Sequence, residues 1–374
     1  MEGQVDEISL DILKIKSEEL ADLVEKLRKS ELAFGLIRDS NSTDFSVVVC
    51  SPDEVIPFTD KQNIADFNSS PGFIAFPFDI KTRKAYFLPS TFEISDLEDL
   101  EQNLDESDQK IGHSTIKDFY KNGVSNAVES ISKGEFEKLV FGRKLEFLYP
   151  KKSIKPLINK LIASYPKAHI SIFKIPGEGL WISASPEVLL EKSMDTEILE
   201  TMALAGTMLF QGQNLKVHGW TEKEIEEQSL VSRFIKDRLI ETGHFEFEEK
   251  GPSTIQAGNL LHLRTDYKVK ALYKNSFYLL ANALHPTSAV CGSPRDEAFQ
   301  WLSNNEDFDR EFFSGFAGIV GQNYGKLVVL LRAGKLEKGI MTLFAGAGIT
   351  ASSNPDAEWT ETEEKMKTLL DILI

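Results

Sequence analysis

The spacing of apolar positions along this 374-residue chain changes part-way through, and the change suggests how the chain is divided. Between residues 7 and 29, Ile8, Ile12, Ile15, Leu20, Leu23 and Leu27 recur at roughly helical spacing, which predicts an amphipathic helix. Short strand-like runs follow: FSVVVC (45–50), GFIAFPF (72–78) and KAYFLP (84–89), bounded by Asn, Ser, Pro and Gly as strand ends usually are. The stretch DLEDLEQNLDESDQK (96–110) is acidic and nearly free of large apolar side chains after Leu104, so it reads as a solvated loop or linker. Residues 1–110 are therefore expected to form an α/β portion packed on a main domain of residues 111–374.

Beyond residue 114 the runs lengthen. Strands are predicted at 136–149, 169–175, 261–272, 326–337 and 339–349, and helices at 221–241, 295–303 and 355–373. The last helix opens after Asn354 with Pro355 in its first turn. The alternation predicts a large α+β domain, and the sequence shows no internal repeat.

Composition narrows the function classes. Lys and Arg number 42 against 58 Asp and Glu, a net charge of −16, and no basic cluster offsets it, so nucleic-acid phosphates and anionic lipid are poor partners. No apolar run approaches the roughly 20 residues needed to cross a bilayer. The opening MEGQVDEISLDIL lacks the basic-then-apolar order of a signal peptide. Cys50 and Cys291 are the only cysteines, too few for a disulfide framework and without a zinc-type pair. A cytoplasmic location is expected.

Several segments could carry chemistry. Glu224 and Glu227 lie three apart on a predicted helix, as do Glu358 and Glu361, so each pair projects two carboxylates from one face. If the pairs converge they need a cation, and oxygen-only ligation suits Mg²⁺; if they do not, they are ordinary solvated faces of an acidic chain. Gly346 and Gly348 in LFAGAGIT would let backbone amides approach an anion, or merely permit a bend or close packing. Arg332 sits in an apolar strand-like run and needs a carboxylate partner, from the protein or from a ligand. Lys138 alternates with apolar residues and faces either solvent or a cavity; Glu187, after a proline, has the ordinary reading of a turn carboxylate. His262 and His285 stand singly without metal-ligand spacing, and no G-x-S-x-G elbow is present.

Taken in order, the blocks KLVFGRKL (138–145), SASPEVLL (183–190), ALAGT (203–207), KEIEEQSLV (223–231), LHLRT (261–265), LHPTSAVCGSPRDEA (284–298), REFFSGFAGIVG (310–321), LLRAG (330–334) and LFAGAGITASSNPDAEWTETEEK (343–365) resemble the chorismate-utilising enzymes, the family of isochorismate, salicylate, anthranilate and aminodeoxychorismate synthases. The resemblance covers about residues 115–370. It implies the fold of anthranilate synthase component I, two large antiparallel sheets packed together with outer helices. It further implies Mg²⁺ held by Glu224, Glu227, Glu358 and Glu361, with the metal meeting the ring carboxylate of chorismate. Arg332, Gly346 and Gly348 would receive the enolpyruvyl carboxylate, and Gly206, Thr207, His262, Phe313 and Phe344 would complete the substrate site.

Within such a family the attacking group differs. Members that use water carry a lysine at the position of Lys138, whereas the ammonia-using anthranilate type usually has glutamine there; the aminodeoxychorismate type attacks with a lysine where this chain has Ala205. The resemblance thus implies isochorismate formation, with Lys138 as general base, Glu187 as general acid and no obligatory amidotransferase subunit. Salicylate synthase and anthranilate synthase are the rival readings. Gln228 and Phe313 depart from the commonest residues, histidine and tyrosine.

Overall fold

The computed structural model describes residues 12–60, 67, 70–97, 113–149, 152–194, 196–212, 215, 219–258, 260–273, 275–321 and 324–373. Its strands form two nine-stranded sheets. The first runs, edge to edge, Leu13–Lys16, Asp44–Cys50, Ala33–Arg38, His169–Ile175, Gly179–Ser185, Ala333–Glu337, Ile340–Ile349, Lys138–Leu148 and Gly292–Ser293. The second runs Phe247–Ala257, Leu260–Lys270, Ile198–Leu209, Val188–Lys192, Gly325–Val329, Phe316–Val320, Gly72–Phe76, Ala85–Pro89 and Ile56–Phe58. Neighbouring strands in both sheets pair antiparallel, for example Ala345 opposite Arg143 and Ala203 opposite Thr265.

An aromatic-rich layer joins the two sheets. Phe173, Trp181 and Phe344 from the first sheet meet Phe73, Ala75 and Ala317 from the second, with Phe312 and Phe313 between them. The approach is close enough that a Cβ on Gly35 would fall 2.2 Å from the Phe73 ring, which explains a glycine inside a buried strand. Helices Ser17–Lys29, Lys155–Ser164 and Pro355–Leu373 bury their apolar faces on the outside of the first sheet, and Glu222–Glu241 and Ser276–Leu284 on the outside of the second.

Most predicted elements are present, and the exceptions have physical causes. Helix 7–29 starts late: residues 7–11 lie outside the described residues, Leu13–Lys16 is an edge strand, and the helix is Ser17–Lys29. Ladder bonds to Asp44–Cys50 win there over the helical spacing, with Ile15 buried and Lys14 and Lys16 outward. The run 326–337 is two strands. Gly325–Val329 ends in the second sheet, the chain crosses at Leu330–Arg332, and Ala333–Glu337 begins in the first. Because both halves are buried, hydrophobicity carries no mark of the crossover; the backbone does, since Arg332 has φ +48°.

The strands before residue 90 belong to both sheets, three to each. The acidic stretch 96–110 lies almost wholly outside the described residues.

Candidate active site

A cleft opens beside this crossover, with walls from both sheets. The second sheet contributes Gly206, Thr207 and His262; the first contributes Phe344, Gly346 and Gly348; the connections contribute Glu187, Phe313 and Arg332. Glu227 reaches the cleft from helix Glu222–Glu241. Lys138 stands just behind the wall, fully buried, with Nζ 3.1 Å from Glu227 Oε1 but not aligned as a hydrogen bond.

Arg332 is the feature that most narrows the chemistry. It is buried and, among the described residues, no carboxylate pairs with it. Its Nη1 donates to Ala257 O at 3.3 Å and its Nη2 to His262 Nε2 at 2.8 Å. The other ring nitrogen, Nδ1, lies 2.8 Å from Gly206 O and must donate to that carbonyl, which leaves Nε2 as the acceptor. Burial, and then Arg332 itself, push the His262 pKa down to about 3, so the ring stays neutral and keeps this tautomer. Burial pushes the guanidinium to about 10, still charged at neutral pH. A buried cation supported by neutral acceptors alone is costly unless an anion joins it.

Gly206 owes its place to a bulge: the register between Ile198–Leu209 and Leu260–Lys270 shifts after Ala205, and Gly206 has φ +69°. Gly346 and Gly348 sit inside the predicted strand, observed as Ile340–Ile349, opposite Gly142 and Val140. A Cβ on Gly348 would lie 2.3 Å from Glu227 Oε1, so this glycine makes room for a carboxylate. Gly346 O accepts from Lys365 Nζ at 2.8 Å.

Glu187 follows the turn in which its N–H donates to Ser185 Oγ at 3.1 Å, yet its side chain is buried, not solvated. Burial pushes its pKa up to about 8 against the opposing pulls of Lys138 and Thr287, whose Oγ1 donates to Oε1 at 3.4 Å. A neutral carboxylic acid thus faces the cleft at pH 7.

The glutamate pairs separate. Glu224 is diverted: its Oε2 accepts from the Thr221 N–H at 3.0 Å and from the Thr221 hydroxyl, closing a capping box at the helix start. Glu227, Glu358 and Glu361 each meet a lysine, Lys138 at 3.1 Å, Lys223 at 2.6 Å and Lys365 at 2.7 Å. Burial raises the Glu227 carboxyl, but Lys138, Lys365 and Lys223 outweigh it and hold the pKa below the usual range. Burial and then Glu361 raise that of Glu358.

Among the described residues no three acidic, histidine or cysteine side chains form a ready-made metal cage. The donor set nevertheless fits a hard divalent cation, because it offers only carboxylate oxygens and Glu358 Oε2 is buried without a hydrogen-bond partner. Phe313 and Phe344 stack at 5.5 Å and 15°, forming an apolar wall. Sequence reasoning missed Lys223, Lys365 and Thr287 as site residues. Lys365 had a signal: it lies one turn beyond Glu361 on the same helix face.

A model of the chorismate binding enzyme family matches residues 87–374. The chain belongs to that family. It is 34% identical over 226 residues to isochorismate synthase EntC of Escherichia coli strain K12, an alignment covering 58% of this chain and 56% of EntC. It is 30% identical over 321 residues to the vibriobactin-specific isochorismate synthase of Vibrio cholerae, covering 79% of this chain and 77% of that one. The chain thus spans little more than half the length of EntC. The solved structure of MenF, the menaquinone-specific isochorismate synthase of Escherichia coli, shares the fold: TM-score 0.79 at 21% identity, covering 97% of this chain and 94% of that one.

Proposed function

We propose that this chain converts chorismate to isochorismate, adding water at ring carbon 2 and expelling the hydroxyl at carbon 4. The single observation that supports this best is the pairing, in one cleft, of a neutral buried acid, Glu187, with a buried cation, Arg332, that has no anion partner among the described residues. Arg332 binds the enolpyruvyl carboxylate through the N–H groups that His262 and Ala257 leave free. Thr207 and the bulge at Gly206 shape the ring's seat.

Lys138 takes the proton from the attacking water, for which it must part from Glu227 as a neutral amine. Glu187 gives its proton to the departing hydroxyl, which leaves as water. A magnesium ion held by Glu227, Glu358 and Glu361 would neutralise the ring carboxylate and fix its orientation. Glu224 caps its helix and stands outside that ligand set.

Phe313 and Phe344 offer the enolpyruvyl arm no hydroxyl, which favours release of isochorismate intact over elimination of pyruvate. The relatives named above support the same reaction, and the downstream use is that of menaquinone or siderophore synthesis in the cytoplasm, with no amidotransferase subunit. Incubation with chorismate and Mg²⁺, with products separated by chromatography, tests the reading: isochorismate alone supports it, and stoichiometric salicylate and pyruvate, or anthranilate with ammonia, would place the chain in another branch.

A further inference from the structure

The carboxylates proposed to hold the metal are not waiting open. Glu227, Glu358 and Glu361 face Lys138, Lys223 and Lys365, so their three negative charges are already cancelled by three ammonium groups. Lys138 and Lys365 have other engagements, beside Glu187 and on Gly346 O respectively. Lys223 is different. It comes from the first turn of helix Glu222–Glu241, lies on neither the Glu187 side nor the strand Ile340–Ile349, and its only described hydrogen bond is to Glu358 Oε1 at 2.6 Å. Its ammonium also feels the charges of Glu361 and Glu227, so it occupies the common field of all three carboxylates. That is where a divalent cation would gain most.

We propose that Lys223 is the site's resident counter-cation: it holds Glu358 in place while the metal is absent, and its contact with Glu358 must break before a divalent cation can bind. The inference rests on the metal-dependent reading above. Its physical basis is charge balance. A dication added to the neutral cluster leaves two uncompensated positive charges in a buried site, and the substrate's ring carboxylate offsets one of them while its enolpyruvyl carboxylate answers Arg332. Metal and substrate therefore strengthen one another's binding, and Lys223 sets how weak the metal is alone. Lys223 is a positioning residue and touches no reacting atom.

The test uses Mn²⁺ as probe, its free concentration followed by electron paramagnetic resonance, on metal-stripped full-length protein without substrate. Lys223→Met should bind Mn²⁺ tighter than wild type by on the order of tenfold. Its melting temperature in chelator should fall, because Glu358 is left buried and unpaired, and should recover with Mn²⁺ or with Glu358→Gln added. If Lys223→Met folds poorly, Lys223→Gln carries the same comparison. A merely structural ion pair would lower the melting temperature and leave Mn²⁺ affinity unchanged or weaker, which overturns the proposal while sparing the metal reading. No Mn²⁺ bound by Lys223→Met even with chorismate present, together with full turnover in excess chelator, would overturn both.

Discussion

The strand-borne half of the cleft and its helix-borne half solve opposite electrostatic problems. On the strand side, Arg332 and Glu187 are buried in states that expect a visitor: a cation with no anion among the described residues, and an acid held neutral. On the helix side, Glu227, Glu358 and Glu361 are closed by lysines and lack nothing in net charge. The first half is preorganised for an anionic ligand at its own expense in stability, whereas the second must exchange partners to take a cation. The contrast follows from the backbone: a crossover places Arg332 and a bulge places Gly206, whereas two of the three lysines, Lys223 and Lys365, stand on helices.

The largest effects should come from breaking the strand side. Lys138→Ala and Glu187→Gln should each lower kcat by about 10²–10⁴-fold with the fold retained, read by steady-state kinetics alongside circular dichroism. Near-normal turnover in Lys138→Ala would assign the base elsewhere. Arg332→Met should lower kcat/KM by about 10²–10³-fold yet shift the melting temperature little, because the loss of its hydrogen bonds is offset by removing an uncompensated buried charge.

Glu187 also predicts two pH effects of definite sign. Its folded-state pKa, about 8, lies above the ordinary carboxyl value of about 4.3, so its stabilising contribution is complete below that lower value and is lost as pH rises towards 8. Over the same window wild type should lose stability relative to Glu187→Gln in urea titrations. Activity should decline as pH passes about 8, where the acid no longer carries its proton. A rate that climbs through pH 9 would contradict its role as acid.

How much of this could be read beforehand differs between the halves as well. The blocks with strong local chemistry were legible: the helical spacing of Glu358 and Glu361 and the strands His169–Ile175 and Ile340–Ile349 stand where the pattern put them, and the arginine in LLRAG is buried, although it lies between two strands and not inside one. What the pattern could not show depends on contacts between distant segments. The break at Leu330–Arg332 is invisible because both flanking strands are buried, and Glu187 in a Ser-Pro turn gives no sign that its carboxyl meets Thr287 a hundred residues away. Glu224 shows the opposite, a local bond that could have been read: Thr221 three residues earlier spells a capping box, and that box engages its carboxylate.

Smaller effects should appear on the helix side. Glu361→Gln should weaken Mg²⁺-dependent substrate binding, seen as a raised Mg²⁺ requirement, while the metal-free protein melts at nearly the same temperature because Lys365 retains its bond to Gly346 O. Glu224→Ala should leave metal affinity and kcat intact and cost about 0.5–2 kcal/mol of stability through loss of the cap. A metal defect as large as that of Glu361→Gln would return Glu224 to the ligand set.

The account's central claim is that water, activated beside Lys138, adds at ring carbon 2 while Glu187 releases the carbon 4 hydroxyl. Running the reaction with chorismate and Mg²⁺ in water carrying a heavy oxygen isotope, and locating the label in the isochorismate by mass spectrometry, tests that claim most directly. The prediction is one heavy oxygen at carbon 2 in each newly formed molecule. Isochorismate without the label, its hydroxyl moved from carbon 4 to carbon 2 within one molecule, would contradict it.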